Sequence, residues 1–130
     1  MELISLKQII LIAIGGAIGS VSRYLTSLGV FTFVSRSFPF GTLAVNIIGS
    51  FIMGFLTVLI IERYNGIAAE LRSLLLIGFL GGYTTFSSFS IETLNLFENG
   101  EMGYAILNVL FSVILCLGAV WLGAIIGRQL

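Results

Sequence analysis

Charges punctuate an otherwise apolar chain. Uncharged stretches run from Gln8 to Ser22, Tyr24 to Ser35, Ser37 to Ile61, Ser73 to Ile91 and Met102 to Gly127, and a membrane-crossing helix needs roughly 20 apolar residues. Three of these runs are long enough alone. The first two are separated only by Arg23, so they read together as one helix carrying an arginine. The pattern therefore predicts four spans at about 6–33, 39–61, 72–97 and 102–127, in one transmembrane domain covering 1–130. Connections are short, and Pro39 suits the start of the second helix, where its missing N–H has no partner to lose.

Small residues recur four apart: Gly15 with Gly19, Ser50 with Gly54, Gly78 with Gly82, and Gly123 with Gly127. In lipid such pairs let helix backbones approach closely. Polar residues also keep register. Thr42, Asn46 and Ser50 form one stripe along the second helix, and Tyr104, Asn108, Ser112 and Cys116 another along the fourth. The stripes read either as a polar path or as interhelical hydrogen bonding. The third span holds the oddest segment: Gly81 and Gly82 stand side by side near its middle, followed by Thr84, Thr85, Ser87, Ser88 and Ser90. Each glycine costs about 1 kcal/mol of helix propensity, and the hydroxyls compete for backbone hydrogen bonds. A broken helix near Gly81-Gly82 is expected, and broken helices at membrane depth commonly hold ions. The alternative is a glycine kink with hydroxyls bonded back to their own helix. Phe86 and Phe89, three apart, share a face and offer either plain packing or the positive ring edge that can touch an anion.

Composition narrows the classes. The 130 residues are 58% hydrophobic and 9% charged, with a mean hydropathy of +1.13. Six basic residues balance six acidic ones, which leaves no electrostatic footprint for nucleic acid. Histidine is absent and Cys116 is the lone cysteine, removing Cys/His zinc sites, disulfides and the common nucleophile-base pairs. An enzyme is not expected. An even number of spans puts Lys7, Arg63, Arg72 and Arg128 on one membrane face and Arg36, with Arg23, nearer the other. That bias is weak enough to permit insertion both ways. Four helices enclose little volume, so a pore is expected to need two copies. A path of neutral amide and hydroxyl donors suits a small anion, which it binds weakly enough to release.

Gly41-Thr42-Leu43-Ala44-Val45-Asn46, together with the run from Gly78 through Phe79-Leu80-Gly81-Gly82-Tyr83-Thr84-Thr85-Phe86-Ser87-Ser88-Phe89-Ser90 to Thr93, closely resembles the signature of the Fluc (CrcB) fluoride channels. Gly15-Gly16-Ala17-Ile18-Gly19 and Arg23 match as well. The resemblance implies an all-α membrane protein working as a dual-topology antiparallel homodimer in the cell (inner) membrane, passively exporting fluoride. It implies pore roles for Asn46, Phe86 and Phe89, and a polar track through Thr42, Thr85, Ser87 and Ser88. Tyr104 and Ser112 fit that track more loosely, and Arg23 falls in a vestibule. It further implies a structural Na+ at the dimer interface, held by the backbone carbonyls of Gly81 and Thr84. Tyr83 and Ser88 stand where leucine and threonine are common in the family, without removing a carbonyl or the hydroxyl at 88. A small multidrug-type exporter would want a carboxylate in the first span, and none lies in 6–33. A non-transporting membrane assembly subunit is the other alternative.

Overall fold

The computed structural model describes residues 5–130, so the first four residues of the expected 1–130 unit lie outside it. Helix α1 (Leu6–Phe31) starts where the Ser5 side chain accepts the Gln8 N–H, an N-cap for a donor that no helical carbonyl can reach. It ends at Thr32, whose N–H and hydroxyl both donate to the Gly29 carbonyl. Helix α2 (Phe40–Arg63) begins directly after Pro39. A 3-10 turn (Asn65–Ile67) follows, and helix resumes at once, so the connection is shorter than the sequence suggests. Helix α3 covers residues 68–83: an α-helical turn (Ala68–Leu71), nine residues of wider i→i+5 winding (Arg72–Leu80) and a closing turn (Gly81–Tyr83). Helix α4 (Phe86–Glu98) and helix α5 (Met102–Gln129) complete the chain. Between them Gly100, at φ 80°, closes α4: its N–H bonds the Phe97 carbonyl while Glu101 N–H reaches Leu96. That is the Schellman arrangement, in which only glycine takes the left-handed turn without strain.

Among the described residues, four segments are long and apolar enough to cross a membrane: α1, α2, α3 with α4 as one interrupted span, and α5. The outward faces carry large apolar side chains, among them Ile14, Leu25, Ile106, Ile114 and Leu117, as lipid requires. The fold is thus an all-α, multi-pass membrane protein. Apart from Arg23 and Glu92, the charges of the described residues gather at two ends. Lys7 pairs with Glu70 at 2.9 Å where α1 begins and α3 starts, at the end that also carries Arg63 and Arg128.

The four small-residue pairs make two seams. In α1 and α3, a Cβ on Gly15 or Gly19 would strike the Leu74 or Phe79 carbonyl oxygen, and one on Gly82 would come within 2.6 Å of the Gly16 oxygen. In α2 and α5, a Cβ on Gly54 would strike the Val120 oxygen, and one on Gly123 the Phe51 oxygen. Backbones meeting this closely exchange dispersion contacts along their length, the main attraction left once lipid replaces water. Val45, Ile60 and Leu80 fill the small remaining core, each at most 2% exposed.

Gly81 and Gly82 do not break the helix. Gly81 keeps helical angles (φ −62°, ψ −36°), and the interruption falls at Thr84 and Thr85, a few residues later. The physical reason is that the glycines serve close approach, with Gly82 lying against Gly16 of α1. What unwinds the chain is a hydrogen bond from another helix.

Candidate functional site

At the break Thr84 (φ −80°, ψ 157°) and Thr85 (φ −153°, ψ 117°) are extended. Thr84 closes α3 by donating its N–H and its hydroxyl to the Leu80 carbonyl, each at 2.9 Å. Thr85 would continue the helix by donating to Gly81. Instead its N–H goes to Asn46 Oδ1 at 2.8 Å, and its carbonyl accepts from Asn46 Nδ2 at 2.9 Å. The amide of Asn46 therefore replaces a turn of helix, satisfying both backbone groups of one buried, extended residue. The Thr85 hydroxyl accepts the Ser88 N–H at 3.2 Å, capping α4. It also contacts the Ser88 and Ser87 hydroxyls at 3.1 and 3.3 Å.

The diverted N–H groups leave carbonyls behind. Gly81 loses the Thr85 N–H to Asn46, and Thr84 loses the Ser88 N–H to the Thr85 hydroxyl. Gly81 lies on the exposed surface of the chain, and Thr84 is half-buried. Free carbonyl oxygens at membrane depth are the donor set that unwound transporter helices use for alkali cations.

Beside the break is a cavity of about 450 Å³ bounded by Asn46, Ser50, Thr85, Phe86, Phe89 and Ser112, with Met53 and Cys116 further along. No residue around it is charged. The rings of Phe86 and Phe89 lie 5.2 Å apart at 46°. Phe89 is buried, but Phe86 is 77% exposed, so one wall of the cavity is open in a single chain. The N-terminus of α4 opens at the same place. Its first N–H groups and the positive end of its dipole favour negative charge there.

Both polar stripes divide. Asn46 and Ser50, with Ser112 and Cys116, face the cavity, while Thr42 and Asn108 turn to α4. Thr42 donates to Glu92 at 2.8 Å, leaving the other Glu92 oxygen buried with no partner among the described residues. Asn108, 2% exposed, donates to the Thr93 hydroxyl at 2.9 Å, and Thr93 donates to the Phe89 carbonyl at 2.7 Å. The short helix α4 is thus tied by side chains at its start, middle and far half. Asn108 is the tie that the sequence gives least reason to single out, since a stripe does not say which members are buried.

The remaining expected positions lie elsewhere. Ser87 and Ser88 sit on the first turn of α4, behind the Thr85 hydroxyl. Tyr104 packs edge-on against Phe38, ring centres 5.7 Å apart, away from the cavity. Arg23 is half-buried on α1, outside the cavity wall and without a salt bridge among the described residues.

Comparison with known proteins agrees with this architecture. The family model described as CrcB-like protein, Camphor Resistance (CrcB), matches residues 10–124. A protein of Coxiella burnetii named fluoride-specific ion channel FluC is 56% identical over 123 residues, covering 95% of this chain and 99% of its own. One of the same name from Methylococcus capsulatus is 56% identical over 119 residues, 92% of this chain, which spans only about half (52%) of that longer relative. A third, from Magnetococcus marinus, is 50% identical over 93% of this chain and 98% of its own length. With a broken third span, paired glycine seams and a match across nearly all its helices, the chain belongs to the CrcB family.

Proposed function

We propose that the protein is a passive fluoride channel, exporting cytoplasmic fluoride through the inner membrane, and that it works by permeation rather than catalysis. The observation that carries this reading is the uncharged cavity in which Asn46, Thr85, Phe86, Phe89 and Ser112 converge beside the N-terminus of α4. Amide, hydroxyl and aromatic-edge donors can replace part of the water around a small anion. None of them holds a full charge that would trap it. Its relatives' name, fluoride-specific ion channel, points to the same ion.

The working unit in this reading is an antiparallel homodimer. Support comes from the open cavity wall at Phe86 and from the surface position of Gly81 beside the break. Two copies meeting there would close the cavities and bring the Gly81 and Thr84 carbonyls of both together. Four such oxygens suit a sodium ion, which would neutralise the carbonyl dipoles and lock the two breaks in register. The polar track would continue through Thr42, Ser87 and Ser88, and Arg23 would reach the vestibule of the assembled dimer.

Fluoride-electrode recordings from proteoliposomes test the reading. Rapid efflux that persists with a protonophore present, and excludes chloride, is expected. Equal chloride and fluoride flux, or none of either, would refute it.

A further inference from the structure

A second cavity of about 350 Å³ lies toward the end of the molecule where α1 begins, between α2 and the widely wound part of α3. Its walls include Met53, Thr57, Ile60, Leu76 and the exposed Arg72. Met53 also belongs to the wall of the cavity that holds Asn46 and the phenylalanines, so the two spaces meet at one side chain. Asn46, Ser50, Met53 and Thr57 are spaced by four, three and four, which places them on one face of α2. From Asn46 to Thr57 is about 16 Å along the axis at 1.5 Å per residue.

Resting on the channel reading, we propose that Arg72 and Thr57 form an anion-binding entry site, from which a small anion passes Met53 into the Asn46 cavity. Arg72 has no carboxylate within salt-bridge distance among the described residues, and Glu70, the nearest acid in sequence, is taken by Lys7. An arginine without a counter-ion, set against the apolar walls of Ile60 and Leu76, concentrates anions because low-dielectric walls focus its field. Thr57 supplies a neutral hydroxyl on the inward side. The charge lies at the mouth and the inner cavity has none, so an ion is gathered by attraction and then released into a weaker site, as multi-site conduction needs.

The test uses the full chain in proteoliposomes, with initial fluoride efflux measured over a range of fluoride concentrations and of potassium gluconate. Arg72→Gln should lower efflux about tenfold at low fluoride and much less at high fluoride, with Arg72→Lys restoring most of it. Added gluconate salt should slow wild type at low fluoride and leave Arg72→Gln unchanged, since screening acts only where there is a charge to screen. Should Arg72→Gln elute abnormally on size exclusion, Thr57→Cys treated with an anionic methanethiosulfonate takes its place. Block beyond that of treated wild type, which retains Cys116, is expected, and no block overturns the entry site. Wild-type conduction with an Arg72→Gln variant that matches it at every concentration and ionic strength also overturns it, leaving Arg72 as an anchor for lipid headgroups. A wild type that conducts no fluoride removes the channel reading and the entry site together.

Discussion

Replacing Asn46 by Ala removes both hydrogen bonds that hold Thr85 extended, 2.8 Å to its N–H and 2.9 Å to its carbonyl. Thr85 is only 8% exposed, so both backbone groups are stranded. A buried group left unpaired costs about 1–3 kcal/mol, giving about 2–6 kcal/mol for the pair. The adjoining cavity can admit water to the stranded groups, which sets the expected loss near the lower end, at about 2 kcal/mol. Much of the damage should appear as misplacement. With its N–H free, Thr85 can rebond to Gly81, continue the helix and carry Phe86 away from Phe89. Flux should therefore fall by at least about tenfold, since a 1.4 kcal/mol displacement of the open geometry already accounts for that factor. Asn46→Asp offers an internal contrast. Its carboxylate accepts the Thr85 N–H but repels the carbonyl, and it puts negative charge on an anion path, so flux should drop further than stability does. Thermal denaturation in mild detergent and fluoride efflux from proteoliposomes read the two quantities. An Asn46→Ala protein with unchanged midpoint and unchanged efflux would refute the clamp.

Other perturbations separate the remaining contacts. Phe86→Ile and Phe89→Ile should each cut fluoride flux while the protein elutes as wild type, because the ring edge is lost but the bulk is kept. Normal conduction by both would remove the edge-on role. Gly54→Ala and Gly123→Ala force a methyl into the backbone of the facing helix and should abolish folded protein on size exclusion. Gly118→Ala, whose added carbon meets nothing within 4 Å, should be tolerated and gain up to about 1 kcal/mol of helix propensity. Thr93→Val should destabilise more than Asn108→Leu, by about 1–3 kcal/mol, because it strands a buried amide whereas the leucine leaves nothing unpaired. Equal thermal midpoints for these two variants would show that the tie carries no stability.

Much of this architecture is written in local signals. Apolar run length dictates four crossings because hydrocarbon leaves the backbone no other way to satisfy itself, and glycines of the small-residue pairs marked where α1 meets α3 and α2 meets α5 backbone to backbone. The segment 78–90 was legible as the candidate site for its density of hydroxyls. The exact point of unwinding was not, because it depends on a partner: Asn46 takes the Thr85 N–H, a contact across 39 residues of sequence. The wide winding of Arg72–Leu80 was equally hidden, since its residues are ordinary helix formers and only the packing against α1 distinguishes them. Tyr104 shows the limit of periodicity. It keeps register with Asn108 and Ser112, yet it lies in the first turn of α5, where it packs edge-on against Phe38 and stays exposed.

Helix α4 is held by three polar ties, to Asn46 through Thr85, to Thr42 and to Asn108, beside the buried side chains of Phe89 and Leu96. Hydrocarbon cannot compete for such ties, whereas water can. Only the Asn46 tie borders the cavity, so solvent that enters the lumen can loosen the start of this short rod while its buried Asn108 tie stays dry.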